Sequence, residues 1–232
     1  MRKNILLIGG TKGIGLEIVK ELSPDHNIIV ASRSDENLSD YDVTHHMFDA
    51  LTDDISELDL PDTLDGFVYC PGSINLKPFK MMKPEIFEQD MQINFMSLMK
   101  ATHGVISKLK NSKQASIVYF STVAVQTGLP YHTSVAAAKG AIEGFARSLA
   151  AEYAPTFRVN VIAPSLVNTP LANKLLGNDK KKEKMDERHP LKRVGEPSDI
   201  GKMASFLLSD NSTWMTGQVI GVDGGMGSLN VS

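Results

Sequence analysis

The stretch "LLIGGTKGIGLEIV", residues 6–19, decides the fold. It begins as an apolar run and continues as an amphipathic helical pattern, with glycines between the two. Glycines permit a tight turn and a close backbone approach to a pyrophosphate, whose charge is stabilised by the N-terminus of the following helix. Because the stretch opens the first strand–helix unit, it predicts a dinucleotide-binding loop. The predicted cofactor contacts in this loop are Gly9, Thr11, Lys12, Gly13, Ile14 and Gly15.

Short apolar runs alternate with helical patterns along the rest of the chain. The runs predict strands at 4–9, 27–32, 66–70, 115–121, 158–163 and 217–222, with a weaker strand at 45–48. Helices are predicted at 13–23, 84–110, 133–153 and 197–208. Continuous rather than alternating hydrophobicity indicates strands that are covered on both faces, as in a parallel sheet. The predicted fold is therefore α/β, a doubly wound seven-stranded parallel sheet in a single Rossmann domain spanning 1–232.

Three connections stand apart from this alternation. The segments 34–44 and 50–64 are too short for full crossover helices, so shortened helices or turns are expected there. The charged segment 171–196 lies between the sixth strand and the last helix, and it is predicted to be a mobile lid over the substrate. The basic run "KKKEK" at 180–184 within it is interpreted as a solvated loop rather than a nucleic-acid patch.

Composition narrows the classes of protein further. The chain has 232 residues and a net charge of -3 with scattered cations, which argues against a nucleic-acid partner. The single cysteine, Cys70, excludes an internal disulfide, favours a reducing compartment and is interpreted as an apolar filler rather than a nucleophile. The N-terminal apolar run is too short for a signal peptide, and no run approaches the length of a membrane span. We expect a cytoplasmic protein with no metal site and no membrane partner.

The end of the second predicted strand bears on cofactor choice. An acid there usually holds the ribose 2′-hydroxyl of NAD, whereas Ser32 occupies that position and Arg33 follows it. Together with Lys12, these side chains suit a 2′-phosphate, which favours NADP(H) over NAD(H). Asp35 and Glu36 are close enough in sequence to be rival ribose ligands.

The glycine spacing, "QINFMS" at 92–97, "KGAIEGFARSLAAEYAP" at 139–155 and "RVNVIAPSLVNTP" at 158–170 resemble the short-chain dehydrogenase/reductase family. The resemblance extends over essentially the whole chain. It implies a nicotinamide-dependent oxidoreductase that acts on a small-molecule substrate. Such proteins commonly form homodimers or homotetramers, here through the helices at 84–110 and 133–153. The further cofactor contacts that the resemblance implies are Asp49, Gly72, Asn94, Lys139, Val167 and Thr169.

The stretch "SVAAAK", residues 134–139, departs from the family at its catalytic tyrosine. Family members carry Tyr-x-x-x-Lys, in which the tyrosine protonates the substrate oxygen and the lysine lowers the tyrosine pKa. Lys139 is present, but Val135 occupies the tyrosine position and cannot donate a proton. The resemblance further implies that Asn94 is the active-site asparagine and that Thr122 replaces the catalytic serine.

Two residues just before the helix are candidates for a relocated acid. His132 lies seven residues before Lys139, about 700° of helical rotation, so both would share a face if the helix extends that far. Histidine side chains titrate near neutral pH and can act as acids there. Tyr131 is the second candidate. Thr133 and Ser134 are interpreted as helix caps.

The sequence therefore predicts an NADP(H)-dependent short-chain oxidoreductase that transfers hydride to a carbonyl or an enoyl substrate. The alternative is a catalytically weak or inactive NADP(H)-binding sensor on the same fold. The sequence does not decide between these two, because the loss of the tyrosine is visible while its replacement is only inferred.

Overall fold

Seven parallel strands form one sheet with the order β3-β2-β1-β4-β5-β6-β7 in a computed structural model that describes residues 2–230. The strands are β1 (Asn4–Ile8), β2 (Asn27–Ser32), β3 (Val43–Met47), β4 (Gly66–Tyr69), β5 (Ala115–Phe120), β6 (Phe157–Pro164) and β7 (Val219–Val222). The strand order reverses between β1 and β4, and in open parallel sheets ligands bind at this switch point, outside the carboxyl ends of the strands. The predicted doubly wound parallel sheet of seven strands is confirmed.

Helices cover both faces of the sheet. They are α1 (Gly13–Leu22), α2 (Pro84–Met91), α3 (Ser97–Lys110), α4 (Ala124–Thr127), α5 (Thr133–Tyr153), α6 (Asn173–Leu176), α7 (Asp179–Arg188) and α8 (Pro197–Leu208). Buried side chains of α3 and α5 pack on one face of the sheet, and those of α1 and α8 pack on the other. None of these helices, within the part of the chain that the structure describes, is both long and apolar enough to cross a membrane.

The continuous hydrophobicity of the strands follows from this double cover. In β1, Leu6 and Ile8 pack on the α3–α5 side while Ile5 and Leu7 pack on the α1–α8 side. All four side chains are at most 1% exposed. Because burying each one contributes roughly 1.5–3 kcal/mol, a strand of this kind is stable only between two layers of helices.

Three predicted elements differ in detail. The helix expected at 84–110 is divided into α2 and α3 by a π-helical turn at Gln92–Met96. Of the two alternatives for the connections at 34–44 and 50–64, the structure has turns rather than shortened α-helices, with a 3₁₀ turn at Ile55–Glu57 in the second. The prediction of a loop at 180–184 is wrong, because these residues form part of α7. Lysine and glutamate favour helices, and Asn178 caps α7 by accepting a 2.9 Å hydrogen bond from the Lys181 amide.

Candidate active site

A cavity of about 920 Å³ opens at the carboxyl ends of the strands, around the switch point. Its walls come from the glycine loop, the ends of β2, β4, β5 and β6, the start of α5 and the segment that holds α6 and α7. Most of the predicted site residues line it: Gly9, Thr11, Lys12, Gly13, Ile14, Gly15, Ser32, Arg33, Asp49, Gly72, Thr122, His132, Lys139, Val167 and Thr169. The predicted residues outside this lining are Asn94 and Tyr131.

The glycine loop turns sharply between β1 and α1. Gly9 and Gly13 have φ angles of 84° and 55°, in the left-handed region that favours glycine. A Cβ at Gly15 would lie 2.0 Å from the carbonyl oxygen of Gly9, so only glycine fits there. The helix then begins without a side-chain cap, which leaves its first N–H groups available to an anion. The loop therefore has the geometry of a phosphate cradle.

The end of β2 carries no acid, and its polar groups are bonded locally. The Ser32 hydroxyl donates to the Ser34 carbonyl at 2.8 Å and lies 3.0 Å from His45 Nε2. Arg33 lines the cavity, is exposed and forms no ion pair within residues 2–230. Lys12 forms an exposed ion pair with Glu36 at 2.7 Å. This end of the cavity therefore offers two cations, one of them held by a surface carboxylate.

Lys139 lies at the centre of the site. Its Nζ donates to the carbonyl oxygen of Phe120, at the end of β5, over 3.0 Å. Burial lowers the pKa of this ammonium to about 8, and the nearby Cys70 and Asp90 partly oppose that shift. A Cβ at Gly72 would lie 3.5 Å from Nζ, so the glycine leaves room for the lysine head group.

The wall beside Lys139 is apolar where the family resemblance requires a tyrosine. Val135 is 5% exposed and lines the cavity one helical turn before Lys139. Thr122 lies after β5, and its Oγ1 accepts a 3.3 Å hydrogen bond from the Ala124 amide. The hydroxyl proton of Thr122 is therefore free to donate to a ligand in the cavity.

Asn94 is held behind the cavity by the π-helical turn. It is fully buried, and its amide Nδ2 donates to Ser73 Oγ and to the carbonyl oxygen of Asp90, both at 2.8 Å. Its Oδ1 accepts from the Ser73 amide at 3.3 Å and would lie 3.0 Å from a Cβ at Gly72. Asn94 thus supports the loop beside Lys139 from behind rather than facing the cavity.

The side chains of the two candidates for a relocated acid lie in different places. His132 lines the cavity as the residue immediately before α5, and its Nδ1 lies 2.7 Å from the Pro130 carbonyl oxygen. A carbonyl only accepts, so Nδ1 carries the proton and Nε2 remains available to a ligand. Tyr131 has a φ of 69° and a side chain that is 57% exposed, outside the cavity lining. The geometry brings His132, and not Tyr131, to the cavity.

The interpretation of Thr133 and Ser134 as helix caps is wrong. The start of α5 has no side-chain cap, and the Ser134 hydroxyl instead donates to the carboxylate of Asp90 at 2.5 Å. Asp90 is a site residue that the sequence reasoning missed. It lies on the otherwise apolar stripe of the helix at 84–110, and an acid on such a stripe was the available signal.

A second polar pair in the cavity wall was also missed. The Ser165 hydroxyl lies 2.9 Å from His189 Nε2, and His189 Nδ1 lies 2.8 Å from the Met185 carbonyl. Because that carbonyl fixes the proton on Nδ1, the neutral imidazole accepts from Ser165. The pair ties the end of β6 to the segment that holds α7. The residues are 24 positions apart, so no local pattern in the sequence joins them.

Cys70 behaves as the predicted apolar filler. Burial raises the pKa of its thiol to about 12, so the thiol is neutral around physiological pH. A neutral thiol next to Lys139 contributes packing and no charge. Among the predicted catalytic residues, the hydroxyl of Thr122, the imidazole of His132 and the ammonium of Lys139 line the cavity.

Comparisons with known proteins agree with this geometry. Residues 29–227 match a family model described as Enoyl-(Acyl carrier protein) reductase. The chain is 33% identical to a tropinone reductase homolog of Arabidopsis thaliana, over 96% of this chain and 92% of that protein. It is 30% identical to the 3-oxoacyl-[acyl-carrier-protein] reductase of Buchnera aphidicola, over 97% of each chain.

Among solved structures, actinorhodin polyketide ketoreductase with NADPH superposes with a TM-score of 0.91 at 21% identity, over 98% of both chains. That likeness shows a shared fold. The family match covers most of the chain, and the relatives match nearly their full lengths. The chain therefore belongs to the short-chain dehydrogenase/reductase family of oxidoreductases.

Proposed function

We propose that the chain is an NADP(H)-dependent reductase that adds hydride to a carbonyl carbon or to the alkene of an enoyl substrate. One observation carries the proposal: Thr122, His132 and Lys139 line the same cavity as the glycine loop. A hydroxyl, an imidazole and an ammonium are the groups needed to bind an oxygen, protonate it and hold a ribose.

The glycine loop supports the binding of a dinucleotide. The close approach of Gly15 to Gly9 and the absence of a side-chain cap on α1 leave the backbone N–H groups uncovered. These groups and the positive end of the helix dipole would hold the pyrophosphate. When bound, the reduced nicotinamide would supply the hydride, and the protein side chains would supply orientation and the proton.

The groups near β2 favour the phosphorylated cofactor. Ser32 at the end of β2 carries no negative charge that would repel a 2′-phosphate. The unpaired Arg33 could engage that phosphate with its planar guanidinium. Lys12 is paired with Glu36 on the surface, and such exposed pairs contribute only about 0–1 kcal/mol, so the lysine can be recruited at little cost.

Cofactor preference can be tested at Arg33. A charge-assisted hydrogen bond contributes about 1.5–3 kcal/mol, so Arg33→Ala should lower the ratio of NADPH to NADH kcat/KM by roughly 10- to 100-fold. The matched control is Lys20→Ala, which removes an exposed cation from the last turn of α1, outside the cavity lining. An unchanged ratio in Arg33→Ala would remove Arg33 from the phosphate site.

The substrate oxygen would be bound by Thr122 and His132. The hydroxyl of Thr122 donates to that oxygen, since its own lone pair already accepts from the Ala124 amide. His132, protonated at both nitrogens, donates from Nε2 while Nδ1 stays bonded to Pro130. Hydride addition to the carbonyl carbon and proton transfer from Nε2 to the oxygen give an alcohol and a neutral imidazole.

Reduction of an enoyl substrate depends less on a protonating side chain than reduction of a carbonyl does. Hydride addition to the β-carbon of an enoyl compound leaves an enolate, whose oxygen Thr122 stabilises by its hydrogen bond. The α-carbon then takes a proton from solvent. Val135 removes only the phenol, so this route tolerates the substitution better than carbonyl reduction does.

Lys139 would hold the nicotinamide ribose. Its hydrogen bond to the Phe120 carbonyl fixes one of three ammonium donors, which leaves two for ribose hydroxyls. The same positive charge stabilises negative charge that develops on the substrate oxygen.

Six apolar side chains in the remaining, otherwise mixed wall of the cavity favour a substrate with an apolar part. It includes Ile74, Leu129, Leu171, Leu175, Met185 and Met226. Two of the matches described above are named as reductases that act on acyl-carrier-protein substrates. We therefore infer that the first substrate class to try is an acyl thioester whose chain carries a keto group or a carbon–carbon double bond near the thioester.

The decisive assay is NADPH consumption over ketones, aldehydes, quinones and enoyl thioesters. General acid catalysis contributes roughly 10²–10⁴-fold, so His132→Asn should lower kcat on a ketone by about 100-fold or more. Tyr131→Phe is the control, because Tyr131 lies outside the cavity lining. Equal activity of wild type and His132→Asn on every ketone would show that His132 is not the acid.

Val135 favours a second candidate function, a sensor that binds NADP(H) without turnover. The buried valine leaves the site without the acid that the family uses. This candidate predicts micromolar NADPH binding together with no consumption over the whole panel. Turnover above background with any substrate class would reject it.

A further inference from the structure

Asp90 is a buried carboxylate that joins three elements around the cavity. It is 0% exposed, and its Oδ1 accepts from Ser73 Oγ at 2.5 Å and from Asn75 Nδ2 at 2.7 Å. Its Oδ2 accepts from Ser134 Oγ at 2.5 Å. A charged group this deeply buried is costly unless several donors satisfy it, and three side chains from two other segments do so here.

The same network reaches the residues of the proposed reaction. Ser73 Oγ also accepts from Asn94, which supports Gly72 next to the ammonium of Lys139. Ser134 lies in the first turn of α5, two residues after His132. Asp90 therefore connects the loop after β4 to the start of α5, the helix that His132 precedes and that carries Lys139.

The network also supplies charge. A negative charge on Cys70 or on Asp90 would favour the ammonium form of Lys139, but the Cys70 thiol is neutral around physiological pH, which leaves Asp90. On α5 itself, Glu143 is bonded to Ser121 at 2.5 Å and His132 lies at the helix start. Toward β5, Lys139 donates to the Phe120 carbonyl, which carries no net charge. Val135, at the position of an ionisable phenol, contributes no charge.

We propose that Asp90 is a positioning residue of this site, whose buried carboxylate fixes the start of α5 and provides the negative charge that keeps Lys139 in its ammonium form. This inference deepens the proposed function and rests on it for the consequence in catalysis. The charge effect itself belongs to the free protein and can be measured without a substrate.

The test is the pH dependence of Lys139 acylation by acetic anhydride in the free protein, followed by peptide mass spectrometry. Only the neutral amine reacts, so the midpoint reports the protonation of Lys139. In Asp90→Asn the charge is lost at nearly constant volume. We expect the midpoint to move to lower pH by about one unit, since a nearby buried charge acts strongly.

Two control variants distinguish the effect of the Asp90 charge from the effect of its hydrogen bonds. Glu88→Gln removes a carboxylate from the exposed side of the same helix and should leave the midpoint unchanged, because exposed charges are screened. Ser134→Ala removes a hydrogen bond while keeping the Asp90 charge. It should leave the midpoint near that of the wild type and lower kcat several-fold by loosening the start of α5.

An Asp90→Asn midpoint equal to that of the wild type would overturn the proposal, as would an equal displacement in Glu88→Gln. If Asp90→Asn does not fold, Asp90→Ser is the second variant, because its hydroxyl can still accept from Ser73 or Asn75 without carrying a charge. The same midpoint displacement is then required of Asp90→Ser.

Measurements of NADPH consumption distinguish a failure of this inference from a failure of the proposed function. If Asp90→Asn displaces the Lys139 midpoint and the wild type consumes no NADPH, the charge role stands and the reductase proposal fails. If the wild type turns over and Asp90→Asn leaves both the midpoint and kcat unchanged, the reductase proposal stands and the role of Asp90 is rejected.

Discussion

Val135 changes the wall next to Lys139 from a proton donor into an apolar surface. Because the two residues are one helical turn apart on α5, the change affects the centre of the site rather than its rim. The lysine, the threonine hydroxyl and the asparagine support all persist around it. At the scale of single residues, the question is which group now protonates the substrate, and His132 is the imidazole that the cavity holds at the start of α5.

Lys139 should set the alkaline limit of activity. Burial lowers its pKa to about 8, so the ammonium is fully present below that pH and is lost above it. With an enoyl substrate, which takes its proton from solvent rather than from His132, we expect kcat/KM with NADPH to fall roughly tenfold per pH unit above about pH 8. The control is Lys139→Arg, which stays cationic over the whole range. An alkaline limb that persists unchanged in Lys139→Arg would contradict the assignment.

A tyrosine returned to position 135 should recover the family mechanism. In a His132→Asn background, Val135→Tyr places a phenol one helical turn from Lys139, whose positive charge lowers the pKa of that phenol. We expect ketone reduction to rise at least tenfold over His132→Asn alone. The matched control is Val135→Phe, which has the ring without the hydroxyl. Equal rates for the tyrosine and phenylalanine variants would show that the phenol does not reach the substrate.

At the scale of elements, the site depends on two irregular segments. The glycine loop turns β1 into α1, and the π-helical turn at Gln92–Met96 brings the side chain of Asn94 toward Ser73. A regular helix from 84 to 110 would direct position 94 differently, because π-turns shift the side chains that follow. Both irregularities lie at the carboxyl ends of strands, where the cavity opens.

Gly15→Ala should damage the loop. Its Cβ would lie 2.0 Å from the Gly9 carbonyl oxygen, so we expect a loss of roughly 3 kcal/mol of stability and of measurable NADPH binding. Gly140→Ala is the control, since its Cβ meets only Val125 at 3.7 Å and alanine favours the helix by up to about 1 kcal/mol. Thermal melts and NADPH titration of both variants give the comparison. If Gly15→Ala bound NADPH as tightly as the wild type, the assignment of the glycine loop as the phosphate-binding site would be rejected.

At the scale of the whole molecule, we propose that the chain forms a homodimer or homotetramer through the predicted helices 84–110 and 133–153. Several apolar side chains of α2 and α3 remain only partly buried in the protomer, including Phe87, Met99 and Ile106. Gly144 on α5 has open space where a side chain would begin. Such a surface is suited to close helix packing between copies.

Light scattering should therefore give a multiple of 25.3 kDa at micromolar concentration. Gly144→Arg should shift that mass toward the protomer, because a long cation cannot be accommodated between closely packed helices. Lys180→Arg, on the exposed helix α7, is the control. A wild-type mass of 25.3 kDa by light scattering would reject the proposed oligomer.

The sequence by itself determined the sheet, the glycine loop and the loss of the tyrosine. These features depend on local patterns: runs of apolar residues, glycines between a strand and a helix, and a fixed four-residue spacing. Only the tertiary structure decided that His132 and not Tyr131 lines the cavity, because the fold of the segment before α5 leaves the Tyr131 side chain 57% exposed. It likewise decided the roles of Asp90 and His189. Their partners Ser134 and Ser165 lie 44 and 24 residues away, and folding brings each pair together through strand order rather than through any local period.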